Sequence, residues 1–203
     1  MKQLIFIVCF VMPFIVLGQN IENLDSIRER EREDSIFWKE YQEKIDRITV
    51  KEICNVPFGC SYEKAETILE NKYGISSSFS NRTQIVYYNK TYAGITFDEI
   101  YFLFQSDGVK SYMNGCIFVL ESKTILEARD NQEKLRSKLS YKYKMSEGKD
   151  KNNEIYYFGG LPPKNCKDGL LMPGFMIDII KNNSSGYITR LYYGRYNYIN
   201  EEF

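Results

Sequence analysis

Residues 98–121 read DEIYFLFQSDGVKSYMNGCIFVLE, and this stretch decides the fold that we predict. Two runs rich in β-forming residues, Asp98–Gln105 and Tyr112–Glu121, flank Ser106-Asp107-Gly108, which is typical of a hairpin turn. Asp98–Gln105 and Gly115–Leu120 are apolar on both faces, which predicts central strands of a sheet. The side chains that we expect in the core are Ile100, Phe102, Phe104, Phe118 and Leu120.

A helix and a strand precede this hairpin. Ser61 is a suitable N-cap, and Gly74 is a suitable end, for a helix between them. The β-rich run Gln84–Asn89 then predicts a strand. One face of the predicted helix is apolar and carries Tyr62, Ala65, Ile68, Leu69 and Tyr73.

The same order of elements follows a second time. Thr124 and Glu127 have the spacing of a capping box and open a helix. One face of this helix carries Ala128, Gln132, Leu135 and Leu139. The polar stretch Glu147–Asn153 predicts a break, and three β-rich runs follow it: Glu154–Phe158, Phe175–Ile180 and Tyr187–Tyr193.

These elements predict an α+β fold, because short antiparallel strands after a helix favour a sheet with helices packed on one face. We expect a single domain, residues 53–203, built from two αβββ halves. The halves would cover residues 53–121 and 122–203.

The N-terminus has the features of a secretory signal peptide. Lys2 precedes an apolar run from Leu4 to Leu17, which ends at the small residue Gly18. A membrane-spanning helix needs about 20 apolar residues, and this run is shorter and contains Pro13. We therefore expect residues 1–18 to be removed and the protein to be exported to the periplasm, the cell surface or the medium, with no membrane-spanning segment left.

Residues 19–52 are highly charged and predict a helix or spacer. Its apolar face, with Trp38, Tyr41, Ile45 and Ile48, can dock on the protein's own core or contact a partner. Asp25-Ser26-Ile27 and Asp34-Ser35-Ile36 resemble the Asp-Ser/Thr-apolar consensus for O-glycosylation in one large group of Gram-negative bacteria. The resemblance makes Ser26 and Ser35 candidate glycosylation sites.

Composition excludes several classes of function. Lys plus Arg and Asp plus Glu are both 27, so there is no basic excess of the kind that nucleic-acid binding requires. The chain has no histidine, which excludes the Ser-His-Asp and Cys-His mechanisms and removes the commonest zinc ligand. The absence of histidine does not exclude catalysis by carboxylates alone, such as glycoside hydrolysis. We assign no catalytic residue, no metal site and no cofactor.

Four cysteines remain after removal of the signal peptide, and an even number in an exported protein predicts two disulfides. Sequence leaves all three pairings open. The least strained choice joins Cys54 to Cys60 and Cys116 to Cys166. The alternative is buried free thiols. A third possibility concerns Cys60, because a thiol at a helix start can become a reactive nucleophile.

Tyrosine is abundant, with 17 residues in the chain. Rings on an exposed sheet face can bind a protein, a peptide or a glycan, although tyrosine also simply suits half-buried strands. The best local candidate for a contact surface follows the last strand and comprises Tyr192, Tyr193, Arg195, Tyr196 and Tyr198.

Two segments resemble uncharacterised exported proteins of gut-type Gram-negative bacteria, namely Val56-Pro57-Phe58-Gly59 with its following helix start, and Tyr92-Ala93-Gly94-Ile95. The doubled helix-plus-three-strand order is similar to tandem modules of the β-lactamase-inhibitor-protein type and to small outer-membrane assembly lipoproteins. The resemblance covers residues 53–193 at the level of fold and implies no chemistry. The four cysteines and the missing lipid-anchor cysteine depart from the lipoprotein pattern, so membrane tethering is not implied.

These features predict an exported, non-enzymatic module that binds an unknown envelope or extracellular protein, or a glycan. One alternative is a histidine-free hydrolase that acts on glycans through carboxylates, and the other is a carrier of a small apolar ligand. A convergent pair of acids in a deep pocket would indicate the hydrolase. An apolar cavity between helices and sheet would indicate the carrier, and a flat aromatic face would indicate binding.

Overall fold

A computed structural model of the chain describes residues 26, 28–106, 110–163, 173–182 and 186–194. The chain divides into two compact units, Met1–Arg47 and Ile48–Phe203. In the first unit the described residues, 26 and 28–47, are helical and belong to α1, which ends at residue 48. Its aromatic side chains are exposed, with 62% of Trp38 and 48% of Tyr41 accessible. The signal-peptide segment lies outside the described residues.

The second unit contains the strands and two further helices. A small hairpin comes first, with β1 (Glu52–Ile53) and β2 (Val56–Pro57), and α2 (Tyr62–Tyr73) follows it. Three long strands come next: β3 (Gln84–Tyr92), β4 (Ile95–Ser106) and β5 (Ser111–Ser122). After α3 (Ile125–Ser140) the chain forms β6 (Met145–Lys149), β7 (Ile155–Gly159), β8 (Phe175–Lys181) and β9 (Tyr187–Tyr193).

The seven long and short strands after α2 form one antiparallel sheet in the order β3-β4-β5-β9-β8-β7-β6. The last strands of the two predicted halves, β5 and β9, pair with each other in register from Cys116 opposite Tyr193 to Ser122 opposite Tyr187. The α+β class and the antiparallel sheet are therefore confirmed. The turn predicted at Ser106-Asp107-Gly108 lies partly outside the described residues, and β4 and β5 pair up to Ser106 and Ser111 on either side of it.

The second half has one strand more than we predicted. Within the stretch Glu147–Asn153 that we expected to be a break, residues 147–149 belong to β6, and only the turn after them is irregular. This strand is polar because it is the edge of the sheet, where a strand has only one partner. A Cβ at Gly148 would lie 2.5 Å from the ring carbon Cζ of Tyr156, so a larger residue there would displace the end of that side chain.

Both helices begin as the sequence predicts. Ser61 Oγ accepts a hydrogen bond from the Lys64 amide, and Thr124 Oγ1 accepts one from the Glu127 amide. Gly74 ends α2 with φ 82°, in the left-handed region that favours glycine.

The two helices pack on the same face of the sheet. The ring of Tyr73 in α2 lies 5.3 Å from that of Tyr87 in β3. The Thr189 hydroxyl of β9 donates to the Ala128 carbonyl of α3 at 2.9 Å. Tyr87 and Thr189 occupy the same face, because the register aligns Tyr87 with Ile100 and Phe118, and Leu120 with Thr189.

The core lies between this face and the helices and is largely aromatic. All the side chains predicted to form it are buried: Ile100, Phe102, Phe104, Phe118 and Leu120. Phe118 is its centre, with the rings of Tyr92, Phe97 and Tyr193 at 4.7, 4.9 and 6.0 Å.

The cysteines correct the disulfide prediction. Cys54, Cys60 and Cys116 are free thiols, and Cys166 lies outside the described residues. Cys54 and Asn55 have φ values of 56° and 69°, so they form the two-residue turn between β1 and β2. The Cys54 thiol is buried, and its Sγ lies 3.2 Å from the Tyr73 hydroxyl instead of bonding to Cys60.

Candidate functional site: the outer face of the sheet

The outer face is the face of the seven-stranded sheet opposite α2 and α3. Cross-strand register places two rows of side chains there, each running at right angles to the strands. The first row is Tyr88, Glu99, Val119, Arg190 and Asp178. Tyr156 lies on the same face of β7, two residues before Phe158. The second row is Tyr101, Ile117, Tyr192, Met176 and Phe158.

The second row is apolar and aromatic on five neighbouring strands, and all of its side chains are half-buried. Neighbouring strands lie about 4.8 Å apart, so a row of five side chains extends over roughly 20 Å. The Tyr156 and Phe158 rings at one end lie 5.9 Å apart. Aromatic side chains that keep part of their surface accessible are enriched in protein interfaces.

An ion pair lies in the first row. Arg190 Nε donates to Asp178 Oδ1 at 2.9 Å, and Arg190 Nη2 donates to Asp178 Oδ2. The hydrogen bond to Asp178 raises the pKa of Arg190 above its ordinary value, so the guanidinium is charged. This pair fixes the arginine side chain in place next to the apolar second row.

A second polar pair lies between β3 and the sheet centre. The Tyr101 hydroxyl donates to Glu99 Oε2 at 2.6 Å. Burial raises the pKa of Tyr101, and the bond to Glu99 and its charge raise it further, so Tyr101 is a neutral donor. Tyr88 lies directly opposite Glu99 across the β3–β4 pair and is 39% exposed.

The two edges of the sheet are less suited to binding than its face. The Ser77 amide donates to the Val86 carbonyl, and the Val86 amide donates to Ser80 Oγ, so residues 77–80 cover part of the β3 edge. At the other edge β6 is short and ends at Lys149. Short, charged or covered edges resist the addition of a further strand.

The residues predicted at the end of the last strand separate in the structure. Tyr192 lies on the outer face, whereas Tyr193 is 1% exposed and packs in the core against Phe118. Tyr193 is therefore not part of a contact surface of the folded chain. Arg195, Tyr196 and Tyr198 lie outside the described residues. In α1, Ser26 and Ser35 are both exposed.

Sequence reasoning missed Arg190, Asp178, Met176 and Phe158. The sequence did contain a signal for Arg190 and Asp178, because buried and less buried residues alternate along β8 and β9. Each strand has one charged side chain at a position that alternates with buried residues, Asp178 between Ile177 and Ile179, and Arg190 between Thr189 and Leu191. Such a pattern indicates an opposite-charge pair on the face away from the core.

Among the described residues, the two glutamates that line a cleft of the second unit are each engaged by another side chain. A cleft of about 570 Å³ between α3 and the β6–β7 hairpin is lined by Glu133 and Glu154. Glu133 accepts hydrogen bonds from Tyr157 and Arg136, and Glu154 pairs with Arg129 at 3.3 Å. The neighbouring carboxylates Asp98 and Glu99 also have different partners. Asp98 Oδ2 accepts a hydrogen bond from the Glu121 amide, whereas Glu99 accepts one from Tyr101.

The three described thiols are buried or half-buried, and none has a lowered pKa. Burial raises the pKa of Cys60 to about 11, although it precedes a helix, and burial also raises the pKa of Cys54 and Cys116. A thiol with a raised pKa is a poor nucleophile at neutral pH. Among the described residues no group of three Cys, Asp or Glu side chains is arranged to hold a metal ion.

Comparison of the chain with protein-family models, with curated proteins and with solved structures finds no match. In the part of the chain that the structure describes, no helix has the length and apolar character needed to cross a membrane.

Proposed function

We propose that this chain is an exported, non-enzymatic binding protein whose outer face contacts a partner protein. The observation that carries the proposal is the aromatic and apolar row formed by Tyr101, Ile117, Tyr192, Met176 and Phe158. Five neighbouring strands hold these side chains in fixed register, so the surface is preorganised and loses little side-chain entropy on binding.

The composition of the outer face matches that of binding hot spots. Tyrosine and arginine are enriched among residues that dominate binding energy, especially where neighbouring apolar groups exclude water. Arg190 has such surroundings, with Val119 beside it on β5 and Tyr192 two residues along β9. A protein partner is favoured over a glycan because the row is wide and predominantly apolar.

Export is the second part of the proposal and rests on the apolar N-terminal run that ends at Gly18. Expression of the full chain in a Gram-negative host tests it. We expect the protein outside the cytoplasm with Gln19 as its first residue, measured by fractionation and intact mass. An uncleaved chain in the cytosol would contradict this part.

Site-specific photocrosslinking in the cells that make the protein tests the binding surface. A photoreactive amino acid at Ile117 should give a discrete protein adduct, and the same residue at the exposed helix position Glu70 should not. Adducts of equal yield from Ile117 and Glu70 would overturn the proposal, as would a glycan adduct at Ile117. Thermal unfolding of both variants confirms that each is folded.

A further inference from the structure

Glu99 is placed to hold a positive charge on the outer face. Its Oε2 accepts the Tyr101 hydroxyl, which fixes the carboxylate. No described residue donates a hydrogen bond to its other oxygen, Oε1. A carboxylate oriented by one bond and open at its second oxygen can accept a charge-assisted hydrogen bond from a ligand.

Two tyrosine rings adjoin this carboxylate. Tyr88 lies opposite Glu99 on β3, and Tyr101 follows it by two positions on β4, so all three side chains share one face. Tyr88 is 39% exposed, so its ring is accessible from solvent. Tyrosine rings attract cations through their π faces, and guanidinium groups also stack on them.

The charge of the outer face is unbalanced. Its positions on the described strands carry three carboxylates, Glu99, Glu121 and Asp178, against one guanidinium, Arg190. Arg190 is engaged with Asp178, so the negative charges of Glu99 and Glu121 remain uncompensated within the face. The negative charge of Glu121 also acts on the group of Glu99 and Tyr101, because it is one of the charges that raise the pKa of Tyr101.

We infer that the outer face binds a partner protein through an arginine or lysine side chain placed against Glu99 and the rings of Tyr88 and Tyr101. The neighbouring residues of that partner segment are apolar and lie on the row from Ile117 to Phe158. This inference rests on the proposed function and adds the chemistry of the partner. Arginine fits better than lysine, because its planar group can accompany a ring while it donates to Glu99.

Selection of peptides from a random display library on the immobilised full chain tests the inference. Four baits are compared: the unchanged chain, Glu99→Gln, Ile117→Lys and Glu66→Gln. Glu66 is a matched control, because its carboxylate accepts the Tyr62 hydroxyl at 3.2 Å on helix α2. We expect the unchanged chain and Glu66→Gln to select peptides with Arg or Lys next to apolar residues, and Glu99→Gln to lose that preference.

One selected peptide is then made with arginine and with its neutral isostere citrulline. The citrulline peptide should bind the unchanged chain about tenfold more weakly and should bind Glu99→Gln as well as the arginine peptide does. Equal binding of both peptides to the unchanged chain would overturn the inference.

The selection distinguishes a failure of the inference from a failure of the proposed function. Suppose that the peptides selected on the unchanged chain lack basic residues and do not bind Ile117→Lys. That result overturns the inference and leaves the proposed function in place. Peptides that bind Ile117→Lys as well as the unchanged chain overturn both, and so does a selection that enriches no peptide.

Discussion

Arg190 on β9 and Asp178 on β8 face each other directly in the sheet register and form a two-point ion pair at the centre of the outer face. Their side chains are 33% and 17% exposed, so the pair is partly removed from solvent. It joins the two strands that continue the sheet from β5 into the second half of the fold. Stability and the shape of the proposed binding surface therefore depend on the same two residues.

Breaking this pair should destabilise the fold. We expect Arg190→Met and Asp178→Leu each to lower the free energy of unfolding by about 1–3 kcal/mol, because each leaves a partly buried charge without its partner. The double variant should lose less than the sum of the two, with a coupling of about 1 kcal/mol. Urea denaturation of the four proteins measures the coupling.

The exposed pair Arg129–Glu154 supplies the control for this cycle. Its side chains are 56% and 40% exposed, and such pairs contribute little. A coupling for Arg190 and Asp178 no larger than that of the control would show that the central pair is only a surface contact.

Removing the Tyr87 hydroxyl should stabilise the protein. Tyr87 is 1% exposed, and its hydroxyl is buried with no hydrogen-bond partner among the described residues. A buried polar group without a partner costs roughly 1–3 kcal/mol. We expect Tyr87→Phe to raise the free energy of unfolding by about 1 kcal/mol, measured by urea denaturation.

Tyr157→Phe is the matched control, because the Tyr157 hydroxyl donates to Glu133 Oε1 at 2.7 Å. That variant should lose about 1 kcal/mol. An equal loss in Tyr87→Phe would show that a bound water satisfies the Tyr87 hydroxyl.

The free energy of unfolding should decrease in alkaline solution, and deprotonation of Cys60 should account for part of that decrease. Burial raises the pKa of Cys60 to about 11, whereas an unfolded cysteine has a pKa of about 8.5. Between these values the unfolded chain releases the proton and the folded chain keeps it, so stability decreases as pH rises. The contribution of this group is complete below about pH 8.5 and is lost as pH rises through 11.

The variant Cys60→Ser should therefore show a shallower decline of the unfolding free energy between pH 9 and 11, by about one proton. Tyr87, whose pKa burial raises to about 12, adds a further decline above pH 10 that Tyr87→Phe should lack. Identical pH profiles for Cys60→Ser and the unchanged chain would mean that the Cys60 thiol is accessible to solvent in the folded protein.

Sequence reasoning was most successful where local and tertiary preferences agree. The caps at Ser61 and Thr124 were predictable because the side chain and the amide that it accepts from are three residues apart. The central strands were predictable because they carry large apolar side chains at alternate positions, and such side chains, among them Phe102 and Phe118, are most often buried.

The failures came from long-range pairing. Strand β6 is polar because it is an edge, and its pairing with β7, which places Gly148 opposite Tyr156, leaves no apolar pattern in the sequence of β6. The thiols of Cys54 and Cys60 are near in sequence, but the backbone turn at Cys54 directs that side chain to Tyr73. Residue type alone also could not show that Tyr193 is buried and Tyr192 is not. Adjacent residues of a strand point to opposite faces, and only the pairing of the strands decides which face is the core.

The turn between β3 and β4 belongs to the hairpin that carries Tyr88 and Glu99. Ala93 and Gly94 have φ values of 51° and 77° and connect Tyr92 to Ile95 as a two-residue turn. Alanine in the left-handed region costs about 1 kcal/mol, and asparagine accepts it more readily. We expect Ala93→Asn to raise the thermal midpoint, whereas Gly94→Ala should lower it because glycine accepts a positive φ without strain. Equal midpoints for Ala93→Asn and Gly94→Ala would show that the turn changes its backbone conformation in solution.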